Sequence, residues 1–154
     1  MWDEVGKKLR TAREKAGLSL LGAVEATGVG ELRFRDMEAC DDLFFCALLT
    51  EVFAICRVCQ TSPEELWAEF VSDRSCKTGS PEELIRELMN RANESPLPLH
   101  QVWDHVGWDI DAMGLAQQPG KMLQQNVDCL RDICLYIEWD WLACLQRWYE
   151  QSVL

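Results

Sequence analysis

Leu18-Ser19-Leu20-Leu21-Gly22-Ala23-Val24-Glu25-Ala26-Thr27-Gly28-Val29 is the stretch whose reading decides the fold, because Leu97-Pro98-Leu99-His100-Gln101-Val102-Trp103-Asp104-His105-Val106-Gly107-Trp108 repeats its pattern seventy-nine residues later. Both stretches open on Leu-x-Leu and close on Gly followed by an apolar residue. Leu18 matches Leu97, Leu20 matches Leu99, Glu25 matches Asp104 and Gly28 matches Gly107, all without a gap. A short helix that stops at Gly and restarts after an apolar residue makes a helix-turn-helix pattern, since Gly adopts the left-handed conformation that ends the first helix. A repeat of this length points to two similar modules. The expectation is an all-α chain of two tandem helix-turn-helix bundles of about five helices each, residues 1–75 and 76–154, with Leu18 and Leu97 in equivalent places.

Outward from the first stretch, Val5, Leu9, Ala12 and Ala16 form a helical stripe that ends at Gly17. Ser19 caps a second helix to about Thr27, and a third runs from Gly30 to Ala39 with Leu32, Phe34 and Met37 as its apolar members. Asp41 and Asp42 read as a turn, and Leu43 to Cys59 as one long buried helix. Ser62-Pro63-Glu64-Glu65 is a capping box that starts a fifth helix through Leu66, Trp67 and Phe70. After a linker at Ser72 to Gly79, Ser80-Pro81-Glu82-Glu83 caps a helix with Leu84, Leu88 and Ala92 on its stripe. Short helices are expected at about Leu99 to Val106 and Asp109 to Ala116, then a turn at Gln117 to Gly120, a long helix from Met122 to Ile137, and a last helix capped by Asp140. No stretch alternates convincingly as a strand would.

Two bundles of roughly 70 residues are each at the small end of self-sufficient folding, so the modules are expected to lean on each other. Hydrophobic residues make up 48% of the 154, including seven Trp, enough for a core and an interface. No apolar run has the ~18 to 20 residues that span a bilayer, and Met1-Trp2-Asp3-Glu4 does not read as a signal peptide. The expected location is the cytoplasm. Among the eight cysteines, Cys46, Cys56, Cys59, Cys129, Cys134 and Cys144 fall in apolar helical patterns, which reads as reduced, buried thiols. Cys56-x-x-Cys59 has no second CxxC or His pair to complete four converging ligands, so packing is the reading and no metal or cofactor is expected.

Gly17-Leu18-Ser19, Thr27-Gly28-Val29-Gly30, Phe34-x-x-Met37-Glu38 and the run from Glu51 to Leu66 together resemble the phage repressor/Cro (XRE) helix-turn-helix family over about residues 5–70. The second module, about 81–150, is similar only through the internal repeat, with Gln117 in place of Glu38 and Ala116 in place of Met37. In that family the second helix of the motif lies in the DNA major groove while the first abuts the backbone. The resemblance therefore implies DNA-facing positions at Leu20, Gly30, Glu31, Leu32 and Arg35, with Arg33 beside them. This chain departs from the family there. Leu20 stands where Gln is usual and cannot hydrogen-bond a phosphate or base edge, and Glu31 would repel phosphates. The matching positions of the second module, Leu99, Asp109, Ile110 and Asp111, are less suited still.

Fifteen basic and 26 acidic residues leave a net charge of −11, shared by both halves, whereas non-specific DNA affinity comes chiefly from phosphate neutralisation. Lys7, Lys8, Arg10, Arg13, Lys15, Arg33 and Arg35 give the first 35 residues a small positive balance, a candidate local basic surface. His100 and His105 have no oriented partner, and no nucleophile, phosphate loop or paired-carboxylate motif stands out, so no enzymatic activity and no small-molecule substrate are expected. Trp103, Trp141 and Trp148 read as core or seam. Trp108 and Trp139, with Asp109 and Asp111, are the candidates for a protein interface. The expected function is a non-enzymatic regulator acting mainly through protein–protein contacts or self-association: an acidic adaptor, an anti-regulator or, in its extreme form, a DNA mimic. The alternative is a DNA-binding transcriptional regulator that contacts DNA through the first module and dimerises through the second.

Overall fold

Ser19 has an extended backbone at φ −72°, and its hydroxyl accepts a hydrogen bond from the Gly22 N–H at 3.0 Å, which starts one helix, Leu20–Thr27. Gly28 ends it in the left-handed region at φ 75°, its N–H returned to the Val24 carbonyl at 2.9 Å. The computed structural model describes residues 4–70, 77–97, 101 and 112–152, and every regular element among them is helical. In chain order the first three are α1 (Glu4–Lys15), α2 (Leu20–Thr27) and α3 (Glu31–Ala39), close to the expected bounds. Leu32 is an exception to the expected stripe: Phe34 and Met37 are buried but Leu32 is 73% exposed.

Two expected long helices are broken. Asp41 and Asp42 begin a short α4 (Asp41–Phe45) instead of a turn, and α5 (Leu49–Val58) follows as a separate helix. The buried Asp41 carboxylate accepts from the Val5 N–H at 3.2 Å and the Gly6 N–H at 2.9 Å, so it serves the first turn of α1, where donors lack helical partners and negative charge is favoured. Leu48, extended at φ −67° and ψ 148°, interrupts the run, and the Glu51 carboxylate accepts from its N–H at 2.9 Å. The released backbone groups find partners in the other half: the Leu49 N–H donates to the Gln125 carbonyl at 2.9 Å and the Val127 N–H to the Ala47 carbonyl at 3.0 Å. The expected helix from Met122 to Ile137 divides at the same junction, into a 3-10 segment, Pro119–Gln124, and a helix, Val127–Ile137, whose start is capped by Asn126.

α6 (Pro63–Leu66) is shorter than expected and gives way to a 3-10 turn, Ala68–Phe70. Only half of its capping box forms: Ser62 accepts from the Glu65 N–H at 3.2 Å, while the Glu65 carboxylate takes the Thr61 hydroxyl at 2.8 Å. α7 (Pro81–Glu94) has the whole reciprocal box between Ser80 and Glu83 and buries Leu84, Ile85, Leu88 and Ala92. α8 (Ala112–Gln117), α9 (Val127–Ile137) and α10 (Trp141–Ser152) complete the chain, with the Asp140 carboxylate accepting from the Ala143 N–H at 3.0 Å. The expected linker is tied down over its described part, 77–79. The Asp140 N–H donates to the Lys77 carbonyl at 3.1 Å and the Trp148 indole N–H to the Gly79 carbonyl at 2.8 Å.

The buried side chains of both halves form one continuous core. Its seam is aromatic: Trp67 stacks on Phe44 at 4.8 Å between centroids and meets Trp141 edge-on at 6.0 Å, while Phe53 lies 6.1 Å from Tyr149. Several devices recur at one spacing. Gln60 (φ 54°) and Glu138 (φ 62°), the non-glycine residues with positive φ among the described ones, lie seventy-eight apart and follow α5 and α9. The caps Ser62 and Asp140, and the extended residues Leu48 and Asn126, have the same separation. Leu18 packs on the core, whereas Leu97 is 48% exposed. No helix among the described residues is long and apolar enough to cross a membrane.

Candidate functional site

The positions that the family resemblance places against DNA lie at the start of α2 and along the first half of α3, and several of their side chains are engaged within the chain. Leu20 is half-buried and packs on the core. Gly30, extended at φ −60°, precedes α3 without a side chain to offer. The Arg35 guanidinium meets Glu31, one turn earlier, at 3.0 Å. Arg33 is held more firmly: it forks onto both oxygens of Glu51 at 2.8 and 2.7 Å and donates to the Cys46 carbonyl at 3.1 Å. The hydrogen bonds that Arg33 donates to Glu51 outweigh desolvation and push the Arg33 pKa upward. An exposed i,i+4 pair such as Arg35–Glu31 contributes only about 0.3–0.5 kcal/mol and exchanges readily for a phosphate. A bidentate pair with a third acceptor does not.

Of the rest of the candidate basic surface, Arg10 pairs with Glu14 at 3.0 Å and Lys8 with Glu69 at 3.7 Å, while Lys7 and Lys15 are exposed and form no ion pair among the described residues. Arg13 is not on the surface at all. It is 8% exposed, bonded to both Glu38 oxygens and to the Leu18 carbonyl at 3.0 Å, so it binds α1 to α3 and to the start of α2. The hydrogen bond to Glu38 is the main reason its pKa rises. What this face presents outward is mixed: Leu21 at 58% and Leu32 at 73% exposure stand among Glu25, Glu31 and Asp36.

Trp108, Asp109 and Asp111, the candidate interface residues of the second module, lie outside the described residues, as do Trp103, His100, His105, Leu99 and Ile110. Trp139 is half-buried and spent inside the chain, since a Cβ placed on Gly79 would lie 2.7 Å from its ring. Trp148 is buried and Trp141 joins the aromatic seam, as expected for core and seam residues. Glu51 was missed by the sequence reading because an unbroken helix from Leu43 to Cys59 hides its place in the first turn of α5. The available signal was an acid three residues after Leu48, a position that favours carboxylates at any helix start.

No three His, Cys, Asp or Glu side chains among the described residues come together as a metal-binding group. The described cysteines are free thiols, and Cys56, Cys59, Cys129, Cys134 and Cys144 are buried, but Cys46 is exposed and Cys40 half-buried, against the expectation for Cys46. Burial pushes the Cys59 thiol up to about 11 and Cys129 up to about 12. Thiolate is the reactive form. Brief native alkylation with iodoacetamide is therefore expected to mark Cys46 before Cys56, Cys59 or Cys129, which should react only on denaturation. Equal labelling of Cys46 and Cys59 by mass spectrometry would contradict the packing.

Compared with family models, curated proteins and solved structures, the chain matches none.

Proposed function

We propose that the chain is a non-enzymatic regulator built on a tandem repressor-like helix-turn-helix scaffold and acting mainly through protein–protein contacts. The observation that carries this reading is the state of Arg33, held by both oxygens of Glu51 on the surface where a DNA-binding relative would present a free cation, with Arg35 paired more weakly to Glu31 beside it. With Leu20, Leu32 and Glu31 beside them and a net charge of −11, the face lacks the phosphate-neutralising term that supplies most non-specific DNA affinity. Exposed Leu21 and Leu32, with exposed Glu25 and Asp36 one helical turn after them, suit a protein partner with an apolar pocket and basic rim. The shared spacing of Gln60 with Glu138 and of Ser62 with Asp140 supports the reading of two copies of one module.

The test is fluorescence anisotropy with random-sequence duplex DNA at low and at physiological salt. No binding tighter than the ~10⁻⁴ to 10⁻⁶ M of ordinary non-specific complexes is expected at physiological salt. Freeing the cations with the double variant Glu31→Gln/Glu51→Gln should raise affinity at low salt. A second reading, a DNA-binding regulator that uses only the first module, draws support from the Ser19 cap and left-handed Gly28, which give α2 and α3 the turn such motifs use. Tight, sequence-specific binding lost on replacing Arg33 and Arg35 by Ala would establish that reading and remove the first.

A further inference from the structure

Between the two halves lies an open cleft of about 490 Å³. α5 contributes one wall with Thr50, Phe53 and Arg57, spaced to share a helix face, and the second half contributes Leu123, Trp148 and Pro81. The floor is apolar. Trp148 offers only ring carbon, because its indole N–H is occupied by the Gly79 carbonyl. In a chain with 26 acidic residues, no Asp or Glu is among the described residues that line the cleft, and its one lining cation, the exposed Arg57, forms no ion pair among those described.

Leu123 and Trp148 each stand seventy-eight residues after Phe45 and Phe70, and Phe53 stands the same distance before Arg131. At that second place the floor is covered from within: the Arg131 guanidinium lies 4.2 Å from the centre of the Phe45 ring and 5.7 Å from that of Phe70, and Asp128 pairs with it at 3.4 Å. At the cleft, Phe53 replaces that covering cation and Thr50 replaces the Asp128 carboxylate. Arg57 stands where the other half has the exposed Leu135. The corresponding floor is thus left open, with its charge changed in favour of an anion.

We infer that this cleft binds a small amphipathic carboxylate, with its apolar tail against Phe53, Leu123 and Trp148 and its carboxylate on Arg57. Clefts of roughly 300–1,000 Å³ at a seam, apolar with a few polar groups, are the usual form of small-ligand sites. A bound molecule touches both halves, so it also holds them together. The inference stands on the cleft and does not depend on whether the α2–α3 face meets protein or DNA.

Isothermal titration of the full chain with octanoate, and with octan-1-ol as the uncharged counterpart, tests it. Octanoate should bind saturably at one site and more tightly than octan-1-ol. Arg57→Met, an exposed change that should leave the melting temperature near the parent's, should weaken octanoate about tenfold, the usual cost of losing a charge-assisted hydrogen bond, and leave octan-1-ol unchanged. Gln151→Trp, which fills the cleft from its rim, should abolish binding of both. Absence of saturation up to about 1 mM, equal affinity for acid and alcohol, or indifference to both substitutions would each overturn the site.

Discussion

Replacing Glu38 by Ala should destabilise the fold by about 3–5 kcal/mol, the cost of leaving one member of a buried ion pair without the other. The side chains of Arg13 and Glu38 are only 10% and 11% exposed, and the Arg13 guanidinium also donates to the Leu18 carbonyl, so three elements loosen together. In a chain of this size each kcal/mol moves the melting temperature by roughly 2–4 °C, giving a drop on the order of 10 °C. The damage comes from the orphaned charge more than from lost attraction. The double variant Arg13→Met/Glu38→Met, which removes both charges and keeps the volume, should therefore recover most of the loss. Chemical denaturation of the parent, the single variant and the double variant distinguishes these accounts. A double variant as unstable as Glu38→Ala would show that the pair acts by its geometry and not by its charge.

Trp67→Ala is expected to cost about 3–5 kcal/mol, as a large ring is removed from a site that cannot collapse. Trp67 is fully buried and is the meeting point of the seam, in contact with Phe44 and Phe45 from the first half and Trp141 from the second. Its indole N–H is buried without a hydrogen-bond partner among the described residues, which itself costs about 1–3 kcal/mol. Trp67→Phe removes that donor while keeping an aromatic face, so it should be far milder than Trp67→Ala. Comparable losses for the two variants in urea unfolding would mean that the N–H has a partner and that the seam needs the whole indole.

Local chemistry was legible at several helix ends where a residue's partner lies within one helical turn of it, though not at Leu48, whose cap by Glu51 was hidden inside a continuous helical pattern. Ser19, Gly28, Ser80 with Glu83, and Asp140 act on backbone groups three or four positions away, so residue type and spacing sufficed to place those helix ends and the all-α class. The stripe of Leu84, Leu88 and Ala92 was equally readable because helical period alone selects the buried face. What only the tertiary structure decided involves partners far apart in the chain. Asp41 looks like a turn former until the N-terminus of α1, thirty-five residues earlier, is brought against it. The run from Leu43 to Cys59 has continuous helical patterning, and it breaks at Leu48 because residues 125–127 of the other half supply hydrogen bonds there. The same holds for the candidate functional surface. Arg33 reads as a cation for DNA, yet its charge is answered by Glu51 across eighteen residues, a pairing that no local spacing encodes because it depends on where α5 begins.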